Sequence, residues 1–88
     1  MIERNVEIIN KLGLHARPAA IFVQKASKFK SEITLEKEGQ KVNGKSIMGV
    51  MMLAAEKGST LIIRAEGEDE NEAVAALVEV VLSKFGEE

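Results

Sequence analysis

The sequence predicts an α+β fold, a mostly antiparallel sheet with helices stacked on one of its faces. Three observations lead there. Apolar residues alternate with polar ones in three separated stretches, residues 2–8, 31–37 and 60–66. After each of the first two strand regions, and again after the last stretch, apolar residues return at helical spacing. A Glu38-Gly39 turn signal folds the second stretch back onto a short partner. The resulting order is β-α-β-β-α-β-α, and strands joined by helices with one hairpin suit a sheet covered on one side.

Each element has its own justification. In the first stretch Ile2, Val6 and Ile8 face inward, with Arg4 an exception at the edge. The first helix should run from about Ala16 to Ser27, because Ala19, Phe22, Val23 and Ala26 form one apolar stripe and Phe29 packs under its end. Ile33 and Leu35 point inward from the second strand, and Gln40–Asn43 is its short return partner, broken by Asn43-Gly44. Ser46 reads as the N-cap of a second helix, Ile47 to about Ala54. There Val50, Leu53 and Ala54 share one face and Met48, Met51 and Met52 another. A surface helix buries one face, so the methionines should be exposed and fit for meeting partners, the alternative being burial of both faces. Leu61, Ile63 and Ala65 face inward from the fourth strand, which Gly67 ends. Asp69 with Glu72 resembles a capping box, followed by Val74, Leu77, Val78, Val81, Leu82 and Phe85 at helical spacing and Gly86 as a C-cap.

The chemistry concentrates at Gly13-Leu14-His15-Ala16-Arg17-Pro18, which holds the one histidine of the chain. Pro18 suits a first helical turn, and Gly13 is a flexible joint before it. His15 and Arg17 therefore belong at a helix N-terminus, where unpaired amides and the helix dipole favour an anion. Imidazole, with an ordinary pKa of about 6.5, is a nucleophile near neutrality. Arginine holds phosphate oxygens in bidentate fashion. The pattern describes a histidine that accepts a phosphoryl group. On local pattern alone, a structural histidine beside a solvated arginine stays open as well.

Composition narrows the classes. Eighty-eight residues make one domain, 1–88, with a single core and a net stability of about 4–13 kcal/mol. A charge of −2 and 3% aromatics argue against nucleic-acid binding. The absence of cysteine removes disulfides and thiolate metal sites, and one histidine with scattered carboxylates makes no ligand set. Neither a signal-peptide core at Met1–Asn5 nor a membrane-spanning run is visible, so the cytoplasm is expected, without membrane insertion. Gly39-Gln40-Lys41-Val42-Asn43-Gly44-Lys45-Ser46 matches the Walker A spacing but fails its context. Residues 40–43 are needed as a strand, and no aspartate follows the next apolar run to hold Mg²⁺. The acidic run Glu68–Glu72 reads as helix-start chemistry rather than a metal site.

Gly13-Leu14-His15-Ala16-Arg17-Pro18-Ala19 together with Lys45-Ser46-Ile47-Met48-Gly49-Val50-Met51 resembles the two signature regions of the HPr family. These are the histidine-containing phosphocarriers of the bacterial phosphoenolpyruvate:sugar phosphotransferase system. The resemblance spans essentially the whole chain. It implies an open-faced β-sandwich of four antiparallel strands, order 1-4-2-3, with three helices on one face. It implies that His15 is phosphorylated on Nδ1 by enzyme I and passes the group to enzyme IIA domains of sugar permeases, with Arg17 and the Ala16 region holding the phosphoryl group. Ser46 matches the position modified by an HPr kinase/phosphorylase in carbon catabolite control. Ile47, Met48, Met51 and Met52 match the apolar patch that meets enzyme I, enzyme IIA and, in some organisms, a catabolite-control transcription factor. A monomer without cofactor or metal is expected, turning nothing over alone. Leu12 departs from the family, whose members often carry serine or asparagine there; leucine cannot donate to a phosphoryl group. Three rivals remain: a paralogue acting only in regulation, a protein-interaction module that is never phosphorylated, and a nucleotide-binding enzyme.

Overall fold

The computed structural model describes residues 1–86. Its elements are β1 (Ile2–Glu7), α1 (Ala16–Ala26), β2 (Glu32–Lys37), β3 (Gln40–Asn43), α2 (Ile47–Met52), β4 (Thr60–Glu66) and α3 (Glu70–Leu82). The four strands form one antiparallel sheet in the order β1-β4-β2-β3. This is the order the family resemblance implies. Alternation decides which side of each strand is wet. Val6, Ile33, Leu35, Leu61, Ile63 and Ala65 are buried under the helices. On the other side Arg64 of β4 sits between Glu3 of β1 and Glu36 of β2, with Nε 2.9 Å from Glu3 Oε1 and the second guanidinium arm on Glu36. Charges on three adjacent strands thus line the open face.

The helices bury the stripes that their periodicity marks. Ala19, Phe22, Val23 and Ala26 of α1 and Ala73, Val74, Leu77 and Val81 of α3 enter the core. Glu38 (φ 51°) and Gly39 (φ 85°) are both left-handed, the geometry of a two-residue hairpin turn that matches strand twist. Gln40–Asn43 is a strand paired with β2, so the Walker-like spacing lies on a hairpin and not on a phosphate-binding loop.

Three expectations need correction. The second helix stops at Met52 and not near Ala54; Leu53 caps it, and Ala54 is left-handed (φ 49°) and exposed. Leu82 is exposed, because α3 ends there and Lys84 and Phe85 turn left-handed, which swings Phe85 back into the core. Asp69 does not cap α3 with its side chain. Its carboxylate instead accepts from the Lys30 amide (2.8 Å), the Ser31 amide (3.0 Å) and the Ser31 hydroxyl. Glu70, the first residue of α3, reaches back to accept from the Gly67 amide at 3.1 Å and ties down the turn that leads into the helix. These hydrogen bonds hold both carboxyls below their ordinary range, Asp69 through the Ser31 hydroxyl first and Glu70 through the Gly67 amide first.

Candidate functional site

His15 is the N-cap of α1, with extended backbone (φ −80°, ψ −170°), and its side chain does not cap the helix. Its carbonyl accepts from the Ala19 amide at 3.0 Å. The first turn therefore contains Ala16, Arg17 and Pro18. Proline has no N–H, so the amides that lack an intrahelical acceptor are those of Ala16 and Arg17, directly after the histidine. No acidic residue lies in this turn to compensate the positive end of the helix. His15 is half-buried, whereas Ala16 and Arg17 are exposed. An imidazole, two amides and a guanidinium thus share one solvent-facing turn.

The preceding loop is held rigidly. Leu14 and Pro18, on either side of the site, are buried. The Leu14 amide donates to the Ala55 carbonyl at 2.9 Å. Gly13 is left-handed (φ 68°), and a Cβ there would stand 2.4 Å from the Ala55 oxygen and 2.9 Å from Glu56 Cα. Upstream, the Ile8 amide donates to Ser59 O and the Gly58 amide to Ile8 O, both at 2.8 Å. The histidine loop is therefore clamped at two levels to the segment that leads from α2 into β4. Asn10, fully buried, donates from Nδ2 to the Gly13 carbonyl at 2.9 Å and closes the turn whose exposed apex carries Leu12. Sequence reasoning missed Asn10; an asparagine three residues before a glycine was the available signal.

Ser46 caps α2, its Oγ accepting from the Gly49 amide at 3.1 Å. The Asn43 side chain accepts from the Lys45 amide at 2.9 Å and sets the approach to that cap. Val50 and Leu53 face the core. The opposite face is open: Met48 is 76% exposed, Met52 65%, Ile47 44% and Met51 41%. Lys37, also missed, secures the far end of the helix, with Nζ 3.2 Å from Leu53 O and 3.4 Å from Ala54 O. Through Ala55 and the 13–14 backbone, α2 and the histidine turn belong to one rigid surface. Among the described residues no group of three or more histidine, cysteine or acidic side chains is placed to hold a metal ion. No described helix is long and apolar enough to cross a membrane.

An open-faced α+β sandwich with a histidine and an arginine at the head of its first helix has the form of a small phosphocarrier. The chain belongs to the HPr family: the family profile described as the HPr component phosphorylation site of the phosphotransferase system matches residues 2–83. It is 53% identical over 87 residues to the phosphocarrier protein HPr of Neisseria meningitidis serogroup A, covering 99% of this chain and 98% of the relative. It is 58% identical over 78 residues to the HPr-like protein Crh of Halalkalibacterium halodurans, covering 89% and 93%. The crystal structure of HPr from Thermoanaerobacter tengcongensis superposes with a TM-score of 0.96 at 59% identity, covering 100% of this chain and 99% of that one. A dimer of HPr from the same organism also matches, with a TM-score of 0.79 over 99% of this chain and 100% of that one. The expectation of a monomer therefore meets a relative that assembles in pairs.

Proposed function

We propose that this protein carries a phosphoryl group on His15 between enzyme I and enzyme IIA domains of sugar permeases. The observation that supports this best is the exposed first turn of α1, where His15 precedes two amides without intrahelical acceptors and an exposed guanidinium. In the transfer, imidazole Nδ1 bonds to phosphorus as the donor's bond to phosphorus breaks. The work of the carrier is positioning and charge stabilisation. Arg17 and the Ala16 and Arg17 amides take the phosphoryl oxygens. Leu12 leaves this task to them.

Ile47, Met48, Met51 and Met52 form the docking face for these partners. Ser46 is the regulatory position: a phosphate there adds about −1.5 to −2 charges at the edge of that face, opposing an acidic partner and favouring a basic one. A kinase/phosphorylase and a catabolite-control transcription factor are the corresponding partners. The test is phosphorylation by phosphoenolpyruvate and enzyme I, read by intact mass beside His15→Ala. One acid-labile phosphoryl group on the wild type and none on the variant is the expected result.

The 58% identity to the HPr-like protein Crh supports a second reading, a paralogue acting only in regulation, although the 59% identity to the HPr of Thermoanaerobacter tengcongensis over the whole chain weighs against it. That reading requires the phosphorylated protein to pass no group to enzyme IIA domains of sugar permeases.

A further inference from the structure

The docking face is built largely from thioethers. The chain contains four methionines and no cysteine, so its sulfur chemistry is entirely that of methionine. Met48 and Met52 are the most exposed residues of the α2 patch, at 76% and 65%, and lie four residues apart on one stripe of the helix. Met51 is more sheltered at 41%, and Met1, 69% exposed, lies just before β1 and outside the α2 patch, so its oxidation is the internal comparison. The face beneath is fixed by Val50 and Leu53 in the core, the Ser46 cap at one end and Lys37 at the other. A change at the two exposed sulfurs therefore alters the surface without removing a core contact.

We propose that Met48 and Met52 are a peroxide-sensitive modification site, and that their conversion to sulfoxide weakens partner docking on α2 and slows phosphoryl delivery to His15. This rests on the reading of α2 as the docking face. The thioether sulfur donates an electron pair to one oxygen of hydrogen peroxide. An S–O bond forms, the O–O bond breaks, and after proton transfer the second oxygen leaves as water. Sulfur is oxidised by two electrons and the peroxide is reduced by two. The product is a polar, hydrogen-bonding group in place of a soft apolar one, and the two thiol-dependent methionine sulfoxide reductases, one for each sulfoxide epimer, together reverse it. Burying such a group against an apolar partner surface without compensation raises the apparent KM for enzyme I about ten-fold.

The experiment treats the full chain with hydrogen peroxide to a gain of about 32 Da, two oxygens, and locates them by peptide mapping. Circular dichroism follows the fold while KM and kcat for phosphorylation by enzyme I are measured. The expected outcome is oxygen on Met48 and Met52, an unchanged fold, a raised KM, nearly constant kcat and recovery after reductase treatment. The double variant Met48→Leu/Met52→Leu should keep its own starting KM through the same treatment. Oxygen placed mainly on Met1 or Met51, loss of the fold, or an unchanged KM in the doubly oxidised protein overturns the proposal. Unoxidised Met48→Glu separates the two layers. If it raises KM while the sulfoxides do not, the docking face stands and the oxidation site falls; if it leaves KM unchanged, the docking face itself falls.

Discussion

Replacing Gly13 with alanine should disconnect the histidine turn from α2. Gly13 is left-handed, and a Cβ would stand 2.4 Å from the Ala55 carbonyl oxygen, a backbone atom that cannot swing aside. The left-handed conformation costs a non-glycine residue about 1–2 kcal/mol. Relieving the clash means separating the 13–14 backbone from Ala55, which gives up the 2.9 Å Leu14–Ala55 hydrogen bond at a buried residue. That loss adds about 1–3 kcal/mol. The expected destabilisation is about 2–5 kcal/mol, against a total stability of about 4–13 kcal/mol. With a urea slope of about 1.5 kcal/mol/M, a loss near the middle of the range lowers the unfolding midpoint by about 2 M. Gly39→Ala is the control. It carries the same backbone strain at φ 85° but nothing lies within 4 Å of its Cβ position, so about 1 kcal/mol and a shift of about 0.7 M are expected. Phosphorylation of His15 by enzyme I, measured where both variants are folded, should be slowed in Gly13→Ala and normal in Gly39→Ala. Equal midpoints for the two variants would refute the clamp.

Other consequences are open to simpler assays. Ser46→Ala removes the cap of a six-residue helix and should cost about 1 kcal/mol, a fall in Tm of roughly 4–8 °C by calorimetry; no fall would mean that the 3.1 Å contact contributes nothing. Phe22→Ala, at a fully buried position, should cost about 3–5 kcal/mol by chemical denaturation, and a loss under 1 kcal/mol would contradict the packing of α1. Asp69 and Glu70 have folded-state values below those of the unfolded chain. They therefore stabilise the fold above the ordinary carboxylate range, and that contribution disappears as pH falls below about 4 and through the folded values. Asp69→Asn should lower Tm at neutral pH and flatten its acid dependence; an unchanged acid limb would place the stabilising proton linkage elsewhere. Leu12→Ser puts a donor at the apex of the turn beside His15, and the phosphohistidine should then hydrolyse more slowly, an unaltered half-life showing that position 12 does not reach the phosphoryl group.

Most strand and helix positions were legible because each buries one face, which period-2 and period-3.6 spacing record directly. Ile33, Leu35, Leu61, Ile63 and Ala65 were all assigned inward and are buried. The strand order came from the resemblance of two motifs, since periodicity says nothing of which strands are neighbours. Asp69 shows where local pattern misleads. Asp-x-x-Glu at a helix start looks the same whether the aspartate turns toward its own helix or toward a loop. Here the Ser31 site, 38 residues away in sequence, offers two donors from residue 31 and one from residue 30, and it wins. The candidate site followed the same division. The placement of His15 and Arg17 at the head of α1, of Ser46 as a cap and of the methionines on an exposed face was readable from short spacings. The supports from Asn10, Ala55 and Lys37 were not, because each depends on a segment brought near by folding.

The charged open face of the sheet has a practical meaning. The triad of Glu3, Arg64 and Glu36 crosses three strands on the side of the sheet opposite the helical layer that holds His15, Ser46 and the methionines. That side is a natural point of attachment. Tethered there, to a bead or through a linker, the chain keeps the face that carries His15, Ser46 and the methionines turned outward. Under the proposed carrier role, raising the local concentration of successive partners by such a scaffold would speed transfer without altering any contact made during it.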